Sequence, residues 1–207
     1  MILLGILAAS GADAAVGVAG YFAGGLSSTA TVDKFAFPSD SRTTLGTGLS
    51  TARGGGAGIS NPSVAGYAAG GNSGSPVLTV DKFAFPADSR TTLATGLSEG
   101  RWLVAGFSNF EVAGYIAGGR ESPDVDTIDK FAFPSDSRTT LGTGISTGTE
   151  EATGISNSKV AGYFGGGDAL GNTDTVDKFA FPSDTRTTLG TGLSSDRKLT
   201  SGFQDAV

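Results

Sequence analysis

The sequence contains neither cysteine nor histidine. The chain therefore cannot form a disulfide, a structural zinc site, a thiol nucleophile, a Ser-His-Asp triad or an imidazole-ligated copper or iron centre. Because cysteine is absent, its usage cannot report the redox compartment, and such a chain suits an exposed extracellular or virion surface as well as the cytosol. These absences exclude several classes of enzyme and metalloprotein.

Basic residues are also scarce. The chain has 14 Lys and Arg against 20 Asp and Glu, which gives a formal net charge of -6. No cluster of Lys or Arg provides the basic face that nucleic acids or anionic membrane surfaces require. A transmembrane helix needs about 20 apolar residues, and no stretch of the chain is that long. We therefore expect no nucleic-acid partner and no membrane insertion.

Glycine is abundant, with 34 residues, and it recurs in step with a longer pattern. The hexapeptide DKFAFP starts at Asp33, Asp81, Asp129 and Asp177, and each copy follows the last by 48 residues. The glycines of a disordered Gly/Ser linker show no such period. A fixed period of this length indicates a repeat architecture with one supersecondary unit per repeat.

Each repeat contains four short segments with strand-like alternation. The first opens on Tyr-x-x-Gly-Gly, the second is TVDKFAFP or TIDKFAFP, the third is RTTLGTGL with small variations, and the fourth is a looser stretch seen as GAGIS, VAGFS, ATGIS and TSGFQ. In the second segment Phe35 and Phe37 share one face and Lys34 and Ala36 the other. We predict four strands per repeat, the third over residues 42–49 in the first copy.

The second and third segments are joined by Pro-Ser-Asp-Ser, at residues 38–41 in the first copy. Proline fixes φ, and Ser and Asp bond back to the nearby backbone, so this tetrapeptide predicts a tight hairpin. Four antiparallel strands in 48 residues is the size of one propeller blade. The predicted fold is an all-β β-propeller built from four four-stranded antiparallel blades.

The same segments resemble the kelch repeat. The pentapeptide YAAGG at 67–71 and its counterparts match the strand that carries the Gly-Gly doublet of the kelch family. The segments LSTAR, LSEGR and LSSDR, which end at Arg53, Arg101 and Arg197, are similar to the approach to the family's arginine. The third copy departs by placing Thr149 there, and the family's tryptophan is missing from every copy. The resemblance covers nearly the whole chain and implies kelch-like blades.

The four repeats account for all predicted strands except one. We divide the single repeat domain of residues 1–207 into units at 14–59, 60–107, 108–155 and 156–207, with 1–13 as an extra or ring-closing strand. Residues 5–13 and 198–206 both look like the fourth segment. Two arrangements stay open, a compact four-bladed ring, which is narrowly favoured, and an arc completed by another chain.

The first residues allow two interpretations. Residues 1–9 are apolar, and Ala12-Asp13-Ala14 has the small-residue pattern of a signal-peptidase site. However, no Lys or Arg precedes the apolar run, the run is short, and residues 5–25 read much like residues 102–119. We expect a strand of the repeat here in preference to a cleaved signal.

Charged residues recur at fixed places in every repeat, and Asp40 and Arg42 are one such pair. Catalysis needs an asymmetric set of groups in one pocket, so we interpret Asp40 as a cap of the hairpin turn and Arg42 as the partner of a carboxylate in its own or the neighbouring blade. The stretch PSDSRTT is weakly similar to the Asp-box of sialidase propellers but lacks its Gly and Trp. Residues 121–126 and 168–174 are acidic without a calcium-loop spacing, so we predict no metal and no other cofactor.

Two stretches of each repeat vary while the scaffold around them is almost invariant. They are residues 26–30, 72–78, 120–126 and 168–174, and residues 51–56, 99–104, 147–152 and 195–199. Variable loops over a rigid scaffold are how binding surfaces are commonly built, although drift after duplication gives the same pattern. The candidate binding residues are Asn72, Ser73, Arg101, Trp102, Arg120, Glu121, Asp124, Asp126, Asp168, Asn172 and Asp174.

These features lead to three functional hypotheses. The first is a non-enzymatic structural or binding propeller, extracellular or on a virion surface, such as a phage tail-fibre or adhesin component that recognises a host glycan or surface protein. The second is a self-assembling repeat protein of a filament or surface layer, since near-identical units expose complementary faces at each end. The third and least favoured is a propeller-based carbohydrate-active enzyme. The expected partners are other protein chains, either further copies or neighbouring virion or assembly proteins.

Overall fold

The computed structural model describes residues 19–62 and 64–204, and within them the chain forms strands and turns. The first sheet holds three described strands, β1 (Ala19–Ala23), β2 (Val32–Ala36) and β3 (Ser41–Thr44). The second holds four, β4 (Ala57–Asn61), β5 (Ala65–Ala69), β6 (Val80–Ala84) and β7 (Ser89–Thr92). Across these residues there is no helix of the length and apolarity needed to cross a membrane.

The remaining two sheets repeat the same order. The third consists of β8 (Ala105–Asn109), β9 (Ala113–Ala117), β10 (Ile128–Ala132) and β11 (Ser137–Thr140). The fourth consists of β12 (Thr153–Asn157), β13 (Ala161–Gly165), β14 (Val176–Ala180) and β15 (Thr185–Thr188). Neighbouring strands in each sheet are antiparallel, as in the pairing of Lys130 with Thr139 across β10 and β11. The predicted all-β fold of four antiparallel, propeller-like blades is confirmed.

The predicted hairpin at the Pro-Ser-Asp-Ser turns is confirmed, but the strand that follows is shorter than predicted. In the first sheet β3 ends at Thr44, and residues 45–49 leave the sheet. Gly48 lies so close to the loop after β1 that a Cβ on it would stand 2.1 Å from the carbonyl oxygen of Ala30. The segment therefore crosses its own blade and delivers Leu49 to the core, where 7% of it is exposed.

The looser fourth segment belongs to a different blade from the one predicted. It forms β4, β8 and β12, and each of these strands opens the sheet that follows it in the chain. The reason lies in connection length, because β4 and β5 are joined by a short turn and pair directly, whereas a long linker separates β4 from β3. The unit boundaries near 59, 107 and 155 therefore move to the starts of β4, β8 and β12.

The blades form an open arc. The opening strands β4, β8 and β12 lie side by side at the inner edge, and among the described strands the fourth sheet makes no comparable contact with the first. The narrowly favoured closed ring is therefore not formed by the described residues. The strand proposed for residues 1–13 lies outside them. Residues 201–204 are not paired as a strand, yet they continue the inner array, since Ser156 N donates to Gln204 Oε1 at 2.8 Å as Ser108 N donates to Ser156 Oγ at 3.0 Å.

The Phe residues of DKFAFP form the core between blades. Phe131 and Phe179 are fully buried, and Phe83 is 5% exposed. In the second, third and fourth hexapeptides the second Phe stacks on the Tyr of the preceding blade, with ring centroids 5.2 to 5.4 Å apart, in the pairs Tyr21–Phe85, Tyr67–Phe133 and Tyr115–Phe181. Such stacked pairs add about 0.5–1.5 kcal/mol to their apolar burial. The repeat thus encodes the contact between blades as well as each blade.

A polar clamp joins consecutive blades beside these stacks. Asp136, in the turn after β10, accepts hydrogen bonds from Tyr67 Oη at 2.7 Å and Lys82 Nζ at 2.6 Å, both on the preceding blade. Asp88 and Asp184 make the same bonds at the other two junctions. Burial and the bond to Asp136 raise the pKa of Tyr67, so its hydroxyl remains a donor in ordinary buffers.

Of the two predictions for the hairpin residues, the one for the Asp is wrong and the one for the Arg is confirmed. The Asp of each hairpin adopts a left-handed conformation, with φ of 58° at Asp136, which Asp tolerates. Its side chain reaches the neighbouring blade, so the predicted role as a cap of its own turn is wrong for Asp88, Asp136 and Asp184. The prediction for Arg42 is confirmed, since its Nη1 lies 3.0 Å from Asp33 Oδ1 in its own blade.

Candidate functional site

The variable loops of all four blades lie on one edge of the sheets. In an antiparallel blade, the loops that join strand one to strand two and strand three to strand four lie at one end of the strands. The loop between strands two and three lies at the opposite end, together with the linker to the next blade. We call this opposite end the rim. Its residues are 26–30, 72–78, 120–126 and 168–174 together with 51–56, 99–104, 147–152 and 195–199.

Backbone pairing between neighbouring loops holds the rim in place. Isolated bridges join Gly54 to Asn72, Trp102 to Arg120 and Glu150 to Asp168. At the second of these, Arg120 N donates to Trp102 O at 2.7 Å and Trp102 N donates to Arg120 O at 3.2 Å. Each bridge joins the linker that leaves one blade to the variable loop of the next. Backbone hydrogen bonds between neighbouring loops therefore fix the main chain of the rim, while the side chains there differ from blade to blade.

At the start of the second blade's variable loop, Asn72, Ser73 and Ser75 give the rim polar, uncharged side chains. Ser73 is exposed and Asn72 is half-buried, and Asn72 Oδ1 accepts a hydrogen bond from Gly74 N at 2.8 Å. This side-chain bond is an Asx-type turn, which fixes the loop without a charge. The second blade therefore offers hydroxyl and amide groups at the rim.

The rim of the third blade carries a mixture of charges. Arg120 Nη1 lies 3.1 Å from Glu150 Oε1, and 53% of the Arg120 side chain remains exposed. Glu121 and Asp126 are exposed, whereas Asp124 is half-buried and burial raises its pKa. The exposed guanidinium and carboxylates can donate and accept several hydrogen bonds at once.

The rim of the fourth blade is acidic around one lysine. Lys198 Nζ lies 2.9 Å from both Asp168 Oδ2 and Glu151 Oε2. The hydrogen bond from Lys198 and another from Gly171 N hold the pKa of Asp168 below its usual value. Asn172 and Asp174 are exposed. No group of three or more acidic side chains in residues 19–62 and 64–204 is placed to bind a metal ion.

The structure separates one predicted binding residue from the rest. Arg101 is fully buried and bonds Asp129 of the next blade, with 3.0 Å between Nη2 and Oδ2. Its side chain is therefore part of the scaffold, while Trp102 beside it is half-buried at the rim. Sequence reasoning included Arg101 because it falls within the variable stretch 99–104. The recurrence of Arg at 53 and 197 was the signal for a structural role.

Two rim carboxylates were not singled out from the sequence. Glu150 and Glu151 stand where the two preceding linkers have Gly54-Gly55 and Trp102-Leu103, and Glu150 is 7% exposed. Burial and the neighbouring Asp124 raise the pKa of Glu150. Their signal was the Glu doublet within residues 147–152, a range identified only as variable. Together with Arg120 and Lys198 they make the junction of the third and fourth blades the most charged part of the described rim.

A large cavity of about 920 Å³ lies along the inner edge of the arc. The opening strands β4, β8 and β12 and one face of the first sheet form its walls, and the wall residues include Tyr21, Ile59, Phe107 and Ile155. Lys34 and Arg53 are its charged lining residues, and no carboxylate lines it among the described residues. The described part of the lining therefore contributes no pair of acids such as most glycoside-hydrolysing sites use.

Comparisons with known proteins bear on the fold alone. No protein-family model matches the chain, and no curated protein matches it. Among solved structures, that of YjhT is similar, with a TM-score of 0.70, 16% sequence identity and 86% of this chain covered. The similar region spans 64% of the YjhT chain. At this identity the likeness shows a shared fold and supports the propeller-like arrangement of the four sheets.

Proposed function

We propose that this chain is a kelch-like propeller segment that acts as a non-enzymatic binding module outside the cell, as part of an adhesin or a phage tail fibre. The observation that carries the proposal is the division of the molecule into two parts. The repeated residues interlock the blades through stacks, clamps and buried ion pairs, and most of the residues that differ between repeats collect on the rim. A rigid scaffold with one variable edge is the design of many recognition domains.

The chemistry of the rim favours a glycan as the ligand. A sugar presents many hydroxyl groups, which pair well with carboxylates, guanidinium groups and side-chain amides. The rim offers all three in exposed positions, at Glu121, Arg120 and Asn172, and adds the half-buried ring of Trp102, on which an apolar sugar face can pack. A surface protein with a polar epitope is the alternative ligand of the same kind of site.

The proposal assigns no catalytic activity to the chain. The charged groups that recur in the blades are occupied in structural pairs, such as Arg42 with Asp33 and Lys82 with Asp136. The carboxylates whose pKa is raised, Asp124 and Glu150, lie at the open rim beside Arg120. The large inner cavity contributes no carboxylate from the described residues. An active site would instead need a nucleophile or an acid–base pair in one pocket.

A glycan array probed with the labelled chain tests this proposal. We expect binding to a defined set of host-surface glycans, and we expect Glu121→Ala and Asn172→Ala each to weaken the best interaction by about tenfold, the loss of one hydrogen bond to a polar ligand. Asp33→Ala, away from the rim, is the matched control and leaves binding unchanged. Absence of binding to glycans and to host surface proteins would contradict the proposal.

The two ends of the arc favour self-assembly as a second function. Asp40 occupies the clamp position of Asp136 and is exposed on the first blade, and Tyr163 and Lys178 occupy the positions of Tyr67 and Lys82 on the fourth. Each end therefore presents one half of a contact that the three internal junctions make in full. Residues 201–204 extend the inner array past the fourth blade in the same direction. A further blade of the same kind fits both ends.

Light scattering over a range of concentrations tests the assembly. If copies join end to end, the average mass rises with concentration, and Asp40→Asn and Tyr163→Phe each weaken association by about tenfold, because each removes a partly buried hydrogen bond of the new junction. Glu111→Gln, which removes an exposed charge of the third blade away from both ends of the arc, is the control and leaves association unchanged. A strict monomer at every concentration would rule out self-assembly.

A further inference from the structure

The junction between the third and fourth blades lacks a buried cation that the other two junctions have. In the first, Arg53 Nη1 lies 2.9 Å from Asp81 Oδ2, and both side chains are at most 3% exposed. In the second, Arg101 bonds Asp129 in the same way. At the third, Thr149 takes the place of the arginine, while the carboxylate remains as Asp177, which is 2% exposed.

Asp177 keeps the backbone donor and the outer arginine that Asp129 has, but the inner arginine is missing. Ser146 N donates to Oδ2 at 2.6 Å, and Arg186 Nη1 lies 3.6 Å from Oδ1, as Arg138 lies 3.2 Å from Asp129 Oδ1. The inner guanidinium, which in the second junction also donates to the carbonyl oxygen of Ile116 at 3.1 Å, has no counterpart. A buried carboxylate that loses a charged partner is costly unless another positive group replaces it.

A cavity occupies the position of the missing arginine. Its volume is about 30 Å³, and its walls include Asp177 and the three neighbouring residues Ser146, Thr147 and Thr149. Phe164 forms another wall and fills part of the space, since it replaces the smaller Ala68 and Ile116 of the earlier junctions. A cavity needs about 10–15 Å³ to hold one water-sized particle. This one therefore has room for a small ion and one water.

We propose that this cavity is a binding site for a small monovalent cation, of the size of ammonium or potassium, that replaces the arginine of the other junctions. The walls offer the ligands that hard cations prefer, a carboxylate together with hydroxyl and carbonyl oxygens. Asp177 is the single carboxylate of the lining and already has the partly exposed Arg186 at 3.6 Å, so the cavity can balance at most one further positive charge, which selects a monovalent ion over a divalent one. Consistent with this, the described residues contain no cluster of three acidic groups for a divalent metal. Four of its lining residues, Thr147, Thr149, Ala169 and Thr173, belong to rim stretches, but the binding of a cation goes beyond the proposed recognition function.

Thermal unfolding in different chloride salts tests the proposal. At equal ionic strength, ammonium and potassium are expected to raise the midpoint of the natural chain by about 3 °C over tetramethylammonium, which is too large for the cavity, if the small cations are present at about ten times their dissociation constant. The double variant Thr149→Arg with Phe164→Ile recreates the pair found at Arg101 and Ile116. Its midpoint is expected to be the same in all three salts.

Two further measurements keep the proposal falsifiable if the double variant does not fold. Crystals of the natural chain grown in rubidium chloride are expected to show an anomalous peak within about 3 Å of a carboxylate oxygen of Asp177. Arg101→Thr, which opens a similar cavity at Asp129, is expected to gain a dependence on ammonium. Equal midpoints of the natural chain in all three salts, or crystals without a rubidium peak at Asp177, would show that the cavity holds water alone and would overturn the proposal.

Discussion

Replacement of Arg101 by methionine is expected to lower the free energy of unfolding by about 3–5 kcal/mol, the usual cost of removing one partner of a buried ion pair. Arg101 and Asp129 are both fully buried, with 3.0 Å between Nη2 and Oδ2. Methionine fills much of the same volume but leaves Asp129 with the more distant Arg138 as its remaining cation. Burial alone would raise the pKa of Asp129, whereas the hydrogen bond from Ser98 N and the charge of Arg101 outweigh it and hold the pKa below its usual value.

Urea denaturation measures this effect, and Arg42→Met is the matched control. Arg42 also pairs with an Asp of the same repeat motif, yet 57% of its side chain is exposed. Exposed pairs of this kind contribute little to stability because solvent screens them. The two variants therefore remove the same residue type from two environments. Equal losses in the two variants would contradict the conclusion that the buried pair holds neighbouring blades together.

Gly154→Ala is the second change with a large expected effect, a loss of at least about 2 kcal/mol in the free energy of unfolding. A Cβ at Gly154 would stand 2.3 Å from the carbonyl oxygen of Gly106 on the adjacent inner strand. The obstacle is main chain, so it cannot rotate away, and the fourth blade must shift outward. Gly106→Ala meets Gly58 in the same way, at 2.5 Å. These glycines set the distance between inner strands.

Gly58→Ala provides the control for this series. Gly58 holds the same position in β4, but among the described residues the nearest atom to its added Cβ is the carbonyl oxygen of Tyr67, at 3.9 Å. Alanine there is expected to leave stability unchanged or raise it by up to about 1 kcal/mol, because glycine in a strand is costly in entropy. Thermal or urea unfolding of the three variants gives the comparison. A loss at Gly154 no larger than at Gly58 would show that the inner strands are not in close contact.

The repeated parts of the fold could be predicted from the sequence because they depend on local pattern. The alternation in DKFAFP and the turn chemistry of Pro-Ser-Asp-Ser are properties of a few adjacent residues, and both predictions are confirmed in β2, β3 and their counterparts. The extent of the third strand was overestimated because RTTLGTGL alternates regularly. The close approach that ends β3, between Gly48 and Ala30, involves a loop elsewhere in the repeat.

Features that join one blade to another could not be derived from the sequence. The role of Asp136 depends on Tyr67 and Lys82, which are far away in the chain and belong to the preceding sheet. A strict repeat places an identical Asp in every turn whether it caps that turn or reaches its neighbour. The open arc follows from the same limit, because the angle between sheets is set by packing of side chains and inner glycines. Arg101 and Trp102 are adjacent, and pattern alone does not show that one is buried and the other lines the rim.

The most direct measurement of the central claim is the binding and stability of a variant with a uniform rim. In it, residues 120–126 and 168–174 are replaced by the sequence of residues 72–78, which has the same length, and Glu150 is replaced by glycine, as found at Gly54. If the scaffold carries stability and the rim carries recognition, the unfolding midpoint changes by no more than about 4 °C, and affinity for the best glycan of the array falls at least about tenfold. Unchanged affinity in a folded variant would contradict the account, because recognition would then not depend on the variable loops of the third and fourth blades.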